Sequence, residues 1–249
     1  MAATSDLREL AAAWAPQLPG RVGPRDIKDP IVEPDWGGLR VVIACTGGAV
    51  EAHRPGSQVP LPDALDAALR TAASGVTAVI EGHLTTAALG SPSVMVPPPP
   101  LVQRSSTFLP RLRPRKDDPY VHARHHLAQM EKQAPAVLEA LEGGEPFAVV
   151  ATDLLWIDDQ PLLDVPMLER KRLLDGLLAV SQLVRITPFV RPTAFMTLVG
   201  WGAMGFRELS WHSANSRYLA GRENPGWAVA RPPENAGAGR GGSARSPFG

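Results

Sequence analysis

The pattern of apolar and polar positions predicts a chain that mixes strands and helices. LRVVIAC and AVEAH, residues 39–45 and 49–53, have the β-branched content of strands, and Thr46-Gly47-Gly48 between them predicts a hairpin turn. Residues 146–157, PFAVVATDLLWI, are the strongest candidate for a buried strand. Further strands are predicted at residues 76–84, 183–190, 206–213 and 227–231.

Helical spacing occupies other parts of the chain. In residues 61–73, Leu61, Leu65 and Leu69 fall on one face, and Gly75 follows as a stop. Further helices are predicted at residues 5–14, 120–142, 165–180 and 193–204. Because strands and helices do not alternate strictly, the pattern favours the α+β class over a doubly wound sheet.

Composition narrows the function classes. The 249 residues carry no formal net charge and are 44% hydrophobic, so no global electrostatic attraction to nucleic acid or to a membrane is expected. No run of about 18 apolar residues and no signal-peptide pattern occurs, which predicts a cytoplasmic protein. The single Cys45 cannot form an internal disulfide and is interpreted as a core residue. Abundant Ala, Arg, Gly and Pro are typical of a GC-rich bacterial genome.

Two segments show neither the strand nor the helical spacing of apolar residues. Residues 90–119 hold a four-proline run and the basic stretch RLRPRK, whose arginines either contact phosphates or form solvated loop charge. A segment of this kind is either functional or disordered, and its role is left open. Residues 232–249 are of low complexity and are predicted to be disordered.

A histidine cluster offers one candidate metal site. His122, His125 and His126 lie at positions i, i+3 and i+4 and share one helical face. Glu131 follows one turn later, but no acidic or cysteine ligand is obviously recruited. The alternative is a solvated helix face, and no metal ligand is assigned from the sequence.

Four segments resemble the adenylation domain of ATP-dependent DNA ligases, which belong to the covalent nucleotidyltransferase superfamily. EPDWGGLR, residues 33–40, is similar to the family's Lys-x-Asp-Gly-x-Arg motif, and HRPG, residues 53–56, to its Arg-x-Gly turn. Residues 147–170 resemble its strand, Asp-Leu-Leu segment and Pro-Leu-x-x-Arg helix. NSRYLAGRENPGWAVAR, residues 215–231, resembles its Ser-x-Tyr-x-x-Gly-Arg turn and Trp-led strand.

The resemblance implies a nucleotidyltransferase domain at residues 31–231, with antiparallel sheets flanked by helices. An N-terminal helix and connector at 1–30 precede it, and the tail at 232–249 follows. The family also carries an OB-fold after its last strand, where this chain continues for about 18 low-complexity residues. We therefore expect self-adenylation and nick sealing both to be impaired.

Residues that the family's chemistry needs do not match. The resemblance implies a lysine that is adenylated and passes AMP to a DNA 5′-phosphate, but that position holds Asp35, a far poorer nucleophile whose charge repels a triphosphate. Glycines, tryptophans and the apolar strand do match. The other pocket positions that depart from the family are His83, Thr152, Arg207, His212 and Val229. No catalytic residue is assigned.

Three cations remain as candidates for nucleotide or phosphate binding, namely Arg40, Arg54 and Arg231. For Arg40 and Arg54, structural hydrogen bonding within the sheet is an equal alternative. Asp35 and Arg207 each reverse the charge that the family has there, so we hypothesise an ion pair across the former pocket. The alternative is that each side chain points to solvent.

Three function hypotheses follow. The first is a ligase-like protein that has lost adenylyl transfer and acts as a nucleotide- or DNA-binding or regulatory pseudoenzyme linked to DNA repair. The second is a divergent, active ATP-dependent DNA ligase or nucleotidyltransferase, and only this one needs ATP and Mg as cofactors. The third is a structural protein that interacts through the proline-rich loop. DNA, a nucleotide or a repair protein are the candidate partners, no membrane is expected, and the oligomeric state is not indicated.

Overall fold

The computed structural model describes residues 4–86, 88 and 119–233, so most of the loop at 90–119 and the tail from residue 234 lie outside the described residues. The α-helices are α1 (Thr4–Ala13), α2 (Asp63–Ala72), α3 (Pro119–Glu142), α4 (Met167–Leu177) and α5 (Phe195–Ala203). The strands are β1 (Leu18–Pro19), β2 (Pro30–Pro34), β3 (Leu39–Thr46), β4 (Ala49–Arg54), β5 (Ser57–Val59), β6 (Ala78–Thr85), β7 (Ala148–Ile157), β8 (Gln160–Pro161), β9 (Val184–Ile186), β10 (Leu209–Ser213), β11 (Glu223–Asn224) and β12 (Trp227–Ala230).

The larger sheet has the strand order β5-β4-β3-β6-β7-β8, and all of these neighbours are antiparallel. Strand β9 adds to β7 in the parallel direction. The predicted hairpin of β3 and β4 is confirmed, with Gly47 at φ 56° and Gly48 at φ 87° in its turn. Two successive positive φ values are what the tightest hairpin turns require, and glycine adopts them without steric cost.

Both faces of the larger sheet are covered, which is why β3 is buried along its whole length. Its odd-numbered residues face a core formed with α2, α3 and α4 (Leu39, Val41, Ile43, Cys45). Its even-numbered residues Val42 and Ala44 pack against α1 on the other face. Since strand side chains alternate, Arg40 lies on the same face as Val42, away from the larger core.

A smaller sheet of order β12-β10-β2 lies beside the larger one, with β10 antiparallel to both neighbours. Leu198 and Trp201 of α5 pack in one cluster with Trp36, which follows β2, and with Val150 of β7. This cluster joins the two sheets. It brings the end of β2 close to β6 and β7.

Gly38, in the turn between β2 and β3, cannot be replaced by a residue with a side chain without a steric clash. Its φ is 75°, and a Cβ atom there would lie 2.2 Å from the carbonyl oxygen of Leu84. The EPDWGGLR segment therefore has a glycine where the turn touches the backbone of β6.

The α+β class and the antiparallel sheets flanked by helices are confirmed. The predicted strand at 183–190 is wrong in extent, because only Val184–Ile186 pairs with β7. Pro188 has no N–H for a ladder, and beyond it the chain reaches β2 through a bridge between Val190 and Val32. Strand β2 was not predicted. No helix in the described ranges is long and apolar enough to cross a membrane.

Candidate functional site

A small cavity lies where the two sheets meet. Side chains from both sheets and from α3 and α4 line it: Gln17, Glu33, Pro34, Asp35, Trp36, Arg40, Glu81, His83, His126, Thr152, Asp153, Met167, Ser210, His212 and Trp227. The cavity volume is about 40 Å³. Ionisable groups make up much of this lining, so ion pairs decide its arrangement.

Asp35 follows β2 and is held from several directions. Its Oδ1 accepts a 2.8 Å hydrogen bond from the Gly37 N–H, and its own N–H donates to the carbonyl of Glu208 at 3.1 Å. The next residue, Trp36, is buried and donates from Nε1 to Thr187 Oγ1 at 2.9 Å. Asp35 is thus fixed within the site and does not turn out to solvent.

His126, from α3, faces two carboxylates. Its Nδ1 lies 2.8 Å from Glu208 Oε2 and 3.3 Å from Asp35 Oδ2. Burial alone lowers the pKa of His126, but Asp35 and Glu208 together outweigh it, and the pKa lies above its ordinary value. Burial likewise raises the pKa of Asp35, yet the His126 and His83 rings bring that pKa below its ordinary value. The carboxylates thus stabilise the protonated form of His126, and the His126 ring in turn stabilises the ionised form of Asp35.

The hypothesised ion pair between Asp35 and Arg207 is wrong. Asp35 pairs with His126, and among the ion pairs of the described residues none joins it to Arg207, which is exposed. The adjacent Glu208 carries its carboxylate to the site instead. Successive side chains of an extended segment point to opposite sides, so one of these two neighbours faces inward while the other faces out.

Each of the three strong cations around the cavity is paired with a buried carboxylate: Arg40 with Glu81, Arg170 with Asp153, and Lys171 with Glu33. Arg40 also donates to the Gln17 carbonyl at 2.7 Å. This contact is structural hydrogen bonding, the alternative to phosphate binding that the sequence left for Arg40. Burial raises the pKa of Glu33 to about 7, against the attraction of Lys171. No cation of these three can reach a phosphate without leaving a buried carboxylate unpaired.

Three further positions predicted from the sequence also line the cavity. His83 donates from Nδ1 to the Gly37 carbonyl at 2.8 Å, and burial lowers its pKa below the ordinary value, against the attraction of Asp35. His212 stacks on Trp227 with ring centroids 5.2 Å apart, and burial brings its pKa well below the ordinary value. Thr152 turns its hydroxyl to a backbone carbonyl of β6.

Other predicted positions do not line the cavity. Arg54 ends β4, Val229 is buried in β12 opposite Ser210, and Arg231 is exposed just after that strand. The side chains of His122 and His125 lie outside the described part of the structure. The three-histidine hypothesis therefore stays a prediction.

Comparison with solved structures places this geometry. The ligase domain of LigD from M. tuberculosis superimposes with a TM-score of 0.55 at 20% sequence identity over 88% of this chain and 59% of that one. A mycobacterial DNA ligase D complexed with ATP and MES superimposes with a TM-score of 0.56 at 19% sequence identity, over 88% of this chain and 60% of that one. The chain has the DNA ligase nucleotidyltransferase fold. It spans about 60% of the length of these two ligases. No protein-family model and no curated protein sequence matches it.

The cavity of this ligase fold does not fit ATP and Mg²⁺ as it stands. A cavity of about 40 Å³ is far smaller than the roughly 300–1,000 Å³ of ordinary ligand pockets, so an adenine nucleotide does not fit without rearrangement. Thr152 stands where the resemblance puts the adenine-stacking ring, and a hydroxyl offers no aromatic face. Glu81 and Asp153, the carboxylates nearest to the cavity in β6 and β7, already neutralise Arg40 and Arg170.

Sequence reasoning missed the buried counter-ions of this ligase fold. Met167, Arg170, Lys171 and Leu174 are the buried residues of α4, at positions i, i+3, i+4 and i+7. That spacing was the available signal, because two basic residues shared the apolar face of the helix. No comparable signal joined His126 to its carboxylate partners, since Glu208 lies 82 positions further along the chain.

Proposed function

We propose that this chain is a ligase-like protein that does not form a covalent adenylate and that acts as a DNA-binding or regulatory module linked to DNA repair. The observation that carries the proposal is Asp35 in the slot between Pro34 and Trp36, held by the Gly37 N–H and by His126. A phosphoramidate needs an amine nucleophile, and a carboxylate in its place repels the triphosphate.

No lysine of the described ranges replaces the missing amine. Lys28 and Lys132 are exposed. Lys171 is buried, and its Nζ forms an ion pair with Glu33 and donates a hydrogen bond to the carbonyl of Thr152. Its attack on ATP would require loss of a buried ion pair and of a proton from the ammonium group. The alternative of an active, divergent ligase therefore has Lys171 as its one candidate within these ranges.

Self-adenylation is the decisive measurement. The full chain, incubated with α-labelled ATP and either Mg²⁺ or Mn²⁺, is expected to carry no label after a denaturing gel. Intact mass before and after incubation checks the same point without radioactivity. An adenylyl adduct on any side chain would contradict the proposal, and peptide mapping of the adduct would then show whether Lys171 is the nucleophile.

Binding of DNA is tested separately. A nicked duplex and an unnicked duplex of the same sequence are titrated at two salt concentrations, because phosphate contacts weaken steeply as salt rises. Saturable, salt-dependent binding supports a DNA-binding module, and its absence together with absence of nucleotide binding leaves the structural interaction protein.

A further inference from the structure

Asp35, His126 and Glu208 form a cluster whose charges do not balance. The three strong cations around the cavity are each matched by one carboxylate, which leaves these two carboxylates with one imidazole. The net charge is negative even when His126 is protonated. Burial makes such a charge costly unless a cation joins it.

The geometry of the cluster is that of a ligand set. One donor atom from each residue, the ring nitrogen and two carboxylate oxygens, lies within 4.8 Å of the other two. The two carboxylates both approach Nδ1, at 2.8 and 3.3 Å, although a single N–H can donate well to only one of them. Replacing that proton with a metal ion lets all three groups bind the same centre.

The backbone supports this arrangement independently of the side chains. The Asp35 N–H donates to the Glu208 carbonyl, which ties the end of β2 to the residue before β10. The Gly37 N–H holds Oδ1 of Asp35, leaving Oδ2 directed at His126. Ligands oriented by such secondary hydrogen bonds are typical of metal sites in proteins.

A second feature of the cavity also indicates a ligand. His212 lines the same cavity and is 6% exposed, and its Nδ1 has no hydrogen-bond partner among the described residues. A neutral, buried imidazole nitrogen is suited to bind a metal ion or a water molecule on one. The cavity, at about 40 Å³, has room for water to complete a coordination shell.

We propose that Asp35, His126 and Glu208 bind one divalent transition-metal ion, with water from the cavity completing its coordination. One imidazole nitrogen and two carboxylate oxygens suit Zn²⁺ or Mn²⁺ better than Mg²⁺, which prefers oxygen ligands alone. Asp35 is then a metal ligand at the position where the ligase family has its nucleophilic lysine. The proposal does not depend on the loss of adenylyl transfer, because the metal is tested without any nucleotide.

The test uses the full chain freed of metal by a chelator and then titrated with Zn²⁺ alone in a calorimeter. Asp35→Asn and Glu208→Gln each remove one ligand charge at nearly constant volume. Glu51→Gln is the matched control, since Glu51 lies 3.6 Å from another buried histidine, His53, with no second carboxylate on that ring in the described residues. Circular dichroism confirms that each variant is folded.

We expect one Zn²⁺ per chain in the unmodified protein and in Glu51→Gln. Each ligand variant should bind at least about tenfold more weakly. Co²⁺ in place of Zn²⁺ should give visible d–d absorption in the control and lose it in the ligand variants. Absence of saturable binding in the unmodified protein overturns the proposal, and so does an affinity in both ligand variants equal to that of Glu51→Gln.

Discussion

Replacement of Arg170 by methionine probes the buried ion pairs around the cavity. Arg170 is fully buried, and its guanidinium donates from Nε and Nη2 to the two oxygens of Asp153, both at 2.8 Å. A third donor, Nη1, reaches the carbonyl of Val165. Methionine keeps most of the side-chain volume but leaves the Asp153 carboxylate buried without its counter-ion.

The expected loss follows from the geometry of this pair. Removing one partner of a buried pair costs about 3–5 kcal/mol, because the remaining charge stays desolvated. Unfolding temperature should fall by roughly 6–20 °C, since about 2–4 °C correspond to 1 kcal/mol in a domain of this size. Replacing both partners, as Arg170→Met with Asp153→Asn, should restore part of the lost stability.

Arg172→Met is the control on the same helix. Arg172 pairs with Glu169 on the surface, where the two side chains are 64% and 49% exposed, so its loss should cost no more than about 1 kcal/mol. Urea unfolding followed by circular dichroism, at one pH and one ionic strength, gives both free energies. If Arg170→Met is within about 1 kcal/mol of Arg172→Met, the buried pairs do not stabilise this site as described.

Three further residues are tested as follows. Gly38→Ala should lower the free energy of unfolding by roughly 3 kcal/mol, because the new Cβ atom would lie 2.2 Å from a backbone oxygen. Gly47→Ala, also at positive φ but with open space around it, should lower it by only about 1 kcal/mol, and equal losses in urea unfolding would contradict the packing at Gly38. Burial raises the pKa of Cys45 to about 12, so its thiol should react slowly with a disulfide reagent until the chain unfolds. Because the unfolded thiol ionises first, stability should fall as pH rises above 9.0, by about 1.4 kcal/mol per pH unit relative to Cys45→Ala, and no pH-dependent difference would refute the burial. Tyr218→Phe removes a hydroxyl that donates to a buried carboxylate and accepts a backbone N–H, and should cost about 1–3 kcal/mol of unfolding free energy; a neutral effect would show that neither contact matters.

The local elements of the fold could be predicted from the sequence because the buried face of a helix or strand is formed by residues that are close along the chain. The β-branched, apolar run of residues 39–45 indicates a buried strand, and the i, i+4 leucines of residues 61–69 indicate which face of a helix meets the core; both elements are present. The Gly47-Gly48 turn could be predicted because two adjacent glycines between two strand segments favour a tight hairpin. Strand β2 was missed because a five-residue segment bounded by two prolines has too little pattern to show its period.

The candidate site was predictable only in part. Asp35 was recognised as the residue in the nucleophile position, and the cavity now surrounds it. Its partner was predicted wrongly, because Arg207 is exposed just before β10 and the ion pair of Asp35 is formed by His126 of α3. A gapless alignment cannot decide that orientation.

The sequence by itself determined the elements, their class and the absence of an amine between Pro34 and Trp36, since each of these depends on residues that are close along the chain. Only the tertiary structure decided that Asp35, His126 and Glu208 meet. Those contacts join segments far apart in sequence, and their side chains are brought together by the packing of two sheets and a helix. Electrostatic pairing acts through space, so residues that carry no common pattern in the sequence become one site.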